Sequence, residues 1–156
     1  MTFIDDALDA FIAAITPVTT TTGVTAVYED RTQAYTQDDA PAINVSLTDA
    51  SADTLGDQHP ARSILRTTLQ VDIAIYTRSA IDAAGVEVSA RKLAAPIWAA
   101  AHALLMADPS LGGKALRLRW RRSNWRKESA DGAAGWATHT YELTLAMREQ
   151  NLQQTQ

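Results

Sequence analysis

The stretch that decides the fold runs from Lys114 to Lys127 and reads KALRLRWRRSNWRK. Apolar and cationic side chains alternate in its first half, as Leu116, Leu118 and Trp120 against Arg117, Arg119 and Arg121. Successive side chains of a strand point to opposite faces. The pattern therefore predicts a strand with one apolar face and one face of three guanidinium groups. Half of the chain's 14 Lys and Arg residues lie in this stretch.

The composition limits the class of protein. The chain has 156 residues, which suits one domain with its own core, and a formal net charge of -4. The negative charge argues against a general nucleic-acid coat, although a local basic patch can still bind phosphate. With no cysteine, disulfides and thiolate chemistry are excluded. The N-terminus lacks the features of a signal peptide and no apolar run reaches a membrane span, so we expect a soluble chain without a membrane partner.

Hydrophobic periodicity gives the order of the elements. Apolar residues recur at helical spacing near the N-terminus, at Ile4, Leu8, Phe11, Ile12 and Ile15. Alternation predicts strands at 24–28, 42–48, 65–76, in the basic stretch and at 136–147, with a second helix at 86–107. This order predicts an α+β fold, a single-domain sandwich of a mostly antiparallel sheet packed against two helices. The domain is expected to cover 1–147, with a polar tail at 148–156.

Motifs for catalysis or metal binding are absent from the sequence. His59, His102 and His139 are isolated, without the spacing that predicts a metal site. No Gly-x-Ser-x-Gly elbow places a nucleophile. The Gly112-Gly113 pair indicates the end of a helix rather than a phosphate loop. We therefore expect no catalytic residue, cofactor or metal, although histidines distant in sequence can still meet in the fold.

The basic strand has two interpretations. As a nucleic-acid platform, it binds phosphate through arginine and stacks bases on Trp120 or Trp125. As a protein interface, its arginines pair with carboxylates across a hairpin or a subunit boundary, since the planar guanidinium binds a carboxylate with two hydrogen bonds. The acidic remainder of the chain favours the interface. Its candidate residues are Arg117, Arg119, Arg121, Arg122 and Glu142.

A polar segment, 49–61, follows one predicted strand and precedes the next. Its small, turn-forming residues predict a long exposed hairpin loop. Because few apolar residues anchor it, we expect it to order on assembly and to act as a docking loop. Its removal is then expected to spare the monomer fold. The candidate docking residues are Asp49, Asp53, Leu55, Asp57 and His59.

Three short motifs lie in or next to these predicted elements. They are PAINVSL at 41–47, LLMADPSLGG at 104–113 and TYELTL at 140–145. In the order and length of its elements over residues 1–147, the chain resembles the tail terminator family of long-tailed bacteriophages and related phage-like particles. That family includes the tail completion proteins that resemble minor tail protein U.

The resemblance implies a non-enzymatic structural protein of the virion, with a tail-terminator-like fold. Members form a hexameric ring at the head-proximal end of the tail tube, where they end tube polymerisation and provide the surface for head–tail joining. The implied partners are further copies of the chain, the tail tube protein and the connector or neck proteins, with DNA passing through the lumen. The implied location is the virion tail, and the host cytoplasm during assembly. No site residue is transferred, because the family carries no catalytic motif.

Three other classes remain open from the residues alone. A neck or head-completion protein of the connector would share the size and ring symmetry but would be absent from head-free tails. A small nucleic-acid-binding domain would shift DNA in a salt-dependent way. An enzyme with a scattered site would show a deep pocket with convergent polar groups.

Overall fold

The helices and strands follow the order that the sequence predicts, with short additions. A computed structural model describes residues 3–55, 64–128 and 133–148. The elements are α1 (Phe3–Ile15), α2 (Val18–Thr21), β1 (Val27–Glu29), a 3-10 turn (Gln37–Asp39), β2 (Ala42–Leu55), β3 (Ile64–Arg78), β4 (Ala80–Ile81), β5 (Glu87–Val88), α3 (Ala90–Ala107), β6 (Arg117–Lys127) and β7 (Ala134–Arg148). Asp57, His59 and the tail from 149 to 156 lie outside the described residues.

The strands of the described residues form one five-stranded sheet and a small separate hairpin. The order in the large sheet is β1-β2-β3-β7-β6, and β4 pairs with β5. β1 runs parallel to β2, while every other neighbouring pair in the large sheet is antiparallel. The predicted α+β fold, with a mostly antiparallel sheet against two main helices, is confirmed.

The core lies between the helices and one face of the sheet. Alternate residues of β3 and β7 enter it, as their period-two pattern requires. They meet the apolar stripes of α1 and α3 in a cluster that includes Leu8, Phe11, Leu69, Val71, Ile73, Ile75, Leu105, Tyr141, Leu143 and Leu145. The Phe11 ring packs edge-on against Tyr141, with centroids 5.8 Å apart. We call the sheet face turned away from α1 and α3 the outer face.

The length of β2 departs from the sequence prediction. β2 continues to Leu55 and pairs with β3 as far as Leu55–Ile64, through residues expected to form a loop. The predicted docking residues Asp49, Asp53 and Leu55 are therefore strand residues. Strong alternation predicts β3 as a strand, and the second half of β2, which lacks that alternation, is a strand because its backbone pairs with β3. A β-bulge between Leu47 and Asp49 lies where the apolar alternation stops.

A tight turn leads from α3 into β6. The Asp108 carboxylate accepts hydrogen bonds from Ser110 Oγ at 2.6 Å, the Gly112 backbone N–H at 2.7 Å and the Ser110 backbone N–H at 3.1 Å. These bonds, first that from the Ser110 hydroxyl, lower the pKa of Asp108. Gly112 and Gly113 have φ of 67° and 84°, which glycine adopts without strain. α3 itself ends at Ala107, before Asp108, so the glycine pair does not end the helix as expected but forms the turn that leads into the basic strand.

Candidate functional site

The arginines of β6 lie on the outer face in a different set from the one that alternation predicts. A β-bulge inserts Arg121 as an extra residue. Arg122 consequently takes the next ladder position, opposite Thr140, and follows Arg117 and Arg119 on the outer face. We call Arg117, Arg119 and Arg122 the arginine row. The prediction that Arg121 follows Arg119 in regular alternation is wrong, because a bulge shifts the period by one.

Arg121 makes an ion pair within the chain. Its Nε lies 3.3 Å from Glu142 Oε2 on the neighbouring strand. The Arg121 side chain is 45% exposed, so solvent screens the pair and its contribution to stability is small, about 0–1 kcal/mol. The contact across the hairpin between an arginine and Glu142 is thus present, and it uses the bulge residue.

The members of the arginine row differ in their partners. Arg122 Nε donates to Thr140 Oγ1 at 3.4 Å, and Thr140 Oγ1 donates to Asp72 Oδ1 at 2.6 Å. Arg117 and Arg119 are exposed. Within the described parts of the chain neither makes an ion pair or a side-chain hydrogen bond. Two guanidinium groups on an open strand are therefore available to a partner.

The apolar side of β6 is only partly covered. Leu118 enters the core at 6% exposure, whereas Leu116 is 64% exposed and Trp120 is 43% exposed. The apolar face that alternation predicts is therefore buried only at Leu118, because α3 covers little of this edge strand. Trp120 instead packs against Trp98, with ring centroids 5.8 Å apart. The edge strand thus exposes apolar surface on the face opposite the arginine row.

An open pocket of about 800 Å³ lies on the outer face. The loop after β1 forms one wall, where the Tyr35 ring packs 4.7 Å from Trp136 and 5.3 Å from Tyr76 between centroids. Arg122 and Arg126 line the opposite side. Carboxylates and guanidinium groups both line this pocket, including Asp72 and Glu128 against Arg31, Arg122 and Arg126. The mixed charge gives no selectivity for an anion.

Arg31 holds the loop in place. Its guanidinium lies 4.5 Å from the Tyr28 ring centroid and 4.3 Å from that of Tyr35. It donates to both Asp39 oxygens, at 3.3 and 3.1 Å. The Thr36 backbone N–H, at 2.7 Å from Asp39, contributes most to lowering the pKa of that carboxyl, and Arg31 adds to it. Burial raises the pKa of Tyr35 to about 12.

A second cluster, of polar aromatic residues, lies between α3 and the core face of β7. The Trp98 indole stacks on His139 with centroids 4.5 Å apart, and its Nε1 donates to Tyr141 Oη at 3.1 Å. Tyr141 Oη also lies 2.7 Å from His102 Nδ1, and Ser123 Oγ lies 2.6 Å from His139 Nδ1. Sequence reasoning treated the two histidines as isolated. The spacing of four from Trp98 to His102 on a helix, and of two from His139 to Tyr141 on a strand, was the available signal.

Burial keeps two members of this cluster, His139 and Tyr141, in their neutral forms. Burial, with the nearby His102, lowers the pKa of His139 to about 4. Burial raises the pKa of Tyr141 to about 12, against the opposing hydrogen bond from Trp98. No carboxylate hydrogen-bonds to either histidine in the described residues, so the Ser123–His139 contact lacks the acidic third member of a triad. Those residues also contain no group of three or more His, Cys, Asp or Glu side chains placed to hold a metal ion.

Comparison with known proteins gives distant similarities to solved structures. No family model and no curated protein matches the chain. Among solved structures, a chain from the "Virion of native gene transfer agent (GTA) particle" is similar over 83% of this chain and 84% of that chain, with 13% identity and a TM-score of 0.39. At these values the similarity carries no argument about function. In the described residues, no helix is long and apolar enough to cross a membrane.

Proposed function

We propose that the chain is a non-enzymatic structural protein of a phage-like tail. It forms a ring, a hexamer by the sequence resemblance, at the head-proximal end of the tail tube. There it ends tube polymerisation and presents a surface to the connector. The observation that carries the proposal is the open basic strand, on which Arg117 and Arg119 have no carboxylate partner in the described residues. The confirmed α+β fold agrees with the one that the resemblance implies.

The surroundings of the arginine row favour protein carboxylates over nucleic acid as its partner. Glu142 and Asp72 lie on the same face, where they pair with Arg121 and accept from Thr140. Their negative charges disfavour a continuous run of phosphates along this face. The net charge of -4 adds to this repulsion. The row therefore suits a contact with acidic side chains of another subunit or of the tube protein.

Charge reversal of the two unpartnered arginines tests the proposal. The variant Arg117→Glu/Arg119→Glu keeps Arg121 and Glu142, but position 119 lies directly across from Glu142. Arg117→Gln/Arg119→Gln is therefore made beside it, because it removes both charges without placing a like charge opposite Glu142. The wild-type protein, mixed with tail tubes assembled from the same particle's tube protein, is expected to form rings at one tube end. Each variant is expected to fold, as checked by circular dichroism, and to lose at least tenfold in ring occupancy by negative-stain electron microscopy.

A matched control carries the same change of charge elsewhere. Arg91 and Lys92 are exposed at the start of α3, and Arg91→Glu/Lys92→Glu is expected to cap tubes normally. Normal capping by the β6 variants would contradict the role of the arginine row. Absence of the wild-type protein from head-free tails, with its presence on completed heads, would instead identify a head-completion protein and overturn the terminator function.

A further inference from the structure

The large sheet has two open edges of comparable length. β6 spans 11 residues and pairs with β7 on one side. β1 covers β2 only at 43–45. In the described residues, the ten positions of β2 from Ser46 to Leu55 therefore have a side on which no strand pairs. Unpaired backbone N–H and C=O groups at such edges can accept another strand.

The strand register places hydrogen-bond acceptors, one of them the carboxylate of Asp49, at one edge of the sheet and arginines at the other. Reading across the outer face, each cross-strand row begins on β2 with an acceptor side chain and ends on β6 with an arginine. The three rows are Asp49–Gln70–Glu142–Arg119, Ser46–Asp72–Thr140–Arg122 and Ser51–Thr68–Thr144–Arg117. One edge is thus complementary to the other, which is the condition for joining identical subunits through two different patches.

The strand directions also match. β2, β3, β7 and β6 alternate in direction, so β6 runs opposite to β2. A second copy placed beside the first in the same orientation presents its β2 antiparallel to the first copy's β6. The junction then continues the antiparallel pairing found within the subunit, with the Asp49 carboxylate as a cross-strand neighbour of an arginine.

We propose that β6 of one copy pairs with the free part of β2 in a second copy, with Asp49 opposite an arginine of the row. Pairing β6 with β6, or β2 with β2, would bring like charges together, which is unfavourable. If β2 of the second copy shifts by one row along β6, Asp49 meets Arg117 or Arg122 in place of Arg119. The charge match is therefore kept when closure of a ring staggers neighbouring strands. The inference rests on the self-assembly in the proposed function and names the contact that produces it.

The absence of cysteine from the chain allows a direct crosslinking test. One variant carries Ser51→Cys on β2, and partner variants carry Arg117→Cys, Arg119→Cys or Asn124→Cys on β6, each with a tag of different mass. Assembled rings of mixed variants are oxidised and resolved by non-reducing electrophoresis. The expected result is a mixed disulfide of Ser51→Cys with Arg117→Cys or Arg119→Cys in at least half of the subunits, since a disulfide requires Cα atoms within about 7 Å. Asn124→Cys would face Ser51→Cys only if Asp49 lay outside the arginine row, so it is expected to give no mixed disulfide.

The controls separate this inference from the proposed function. Ala99→Cys, exposed on α3, is expected to give no mixed disulfide with Ser51→Cys. Rings that form without mixed disulfides, or with disulfides only between identical variants, would overturn the edge pairing and leave the ring intact. Mixed disulfides in assemblies that do not cap tubes would support the pairing and overturn tail termination. A chain that stays monomeric with tubes present would overturn both.

Discussion

At the scale of single residues, His139 has the most perturbed basic side chain in the described structure. Its imidazole is 7% exposed, stacked on Trp98 and held neutral by burial, with a pKa of about 4. The unfolded chain binds the same proton near pH 6.5. Between these values the unfolded state holds more protons than the folded state, so folding stability is lost as the pH falls from 6.5 towards 4.

The titration of His139 predicts that the protein loses stability at pH values above those at which carboxylates take up protons. Lowering the pH from 7 to 4.5 is expected to reduce the free energy of unfolding by on the order of 2–3 kcal/mol, measured by urea titration. In His139→Gln the free energy of unfolding is expected to depend less on pH between 7 and 4.5. Ser123→Ala keeps the buried imidazole and is expected to retain the dependence. A profile that is equally steep in His139→Gln would show that another group is responsible.

The arginine row shows what sequence can predict about a surface. Alternation correctly placed Arg117 and Arg119 on one face, because a regular strand has a period of two. It failed at Arg121, since the decision between a regular ladder and a bulge depends on how β6 fits β7, which β6 alone does not encode. The pairing of Trp98 with His139 and of His102 with Tyr141 likewise depends on the packing of α3 onto β7.

At the scale of elements, the sequence predicted the strands in which apolar residues alternate. It missed strand structure where only backbone pairing with a neighbouring strand makes the chain extended. β3 and β7 were found because one face of each is buried. The second half of β2 was missed, since its side chains are small and polar and its strand conformation comes from seven registered pairs with β3, from Asp49–Gln70 to Leu55–Ile64. In this part of β2, pairing with the regular strand β3 outweighs the low strand propensity of the residues.

Deletion of 49–61, with the ends joined by a short glycine linker, is therefore expected to destabilise the monomer. The deletion removes the seven pairs and leaves one side of β3 open. The expected loss is on the order of 2–5 kcal/mol in the free energy of unfolding, measured by urea titration. Shortening restricted to 56–61 keeps those pairs and is expected to cost less. Equal stability of the two deletions would mean that the second half of β2 does not support the fold.

At the scale of the whole molecule, charge is separated along the sheet. The chain is acidic, yet seven Lys and Arg residues lie between Lys114 and Lys127. Such a distribution gives a small net charge together with a large local field at one edge. The sequence alone predicted this separation, while a protein partner for the basic strand stays a prediction. The position of the opposite edge came only from the register across four strands.

Self-association is accordingly expected to depend on salt. Raising NaCl from 50 mM to 500 mM shortens the screening length to below about 5 Å, which weakens contacts between exposed carboxylates and guanidinium groups. The protein concentration for half-assembly, measured by sedimentation or mass photometry, is expected to rise several-fold. The urea midpoint of the monomer, held together mainly by its apolar core, is expected to change little. Salt-independent assembly would indicate an apolar interface.

The even number of antiparallel strands from β2 to β6 has a directional consequence. Every copy added edge to edge keeps the orientation of the copy before it, since an inverted copy would present the wrong strand direction. An assembly built in this way has an upper rim and a lower rim made of different loops. A single gene product would then distinguish the end where growth stops from the end where the next component attaches, without any auxiliary factor to set its polarity.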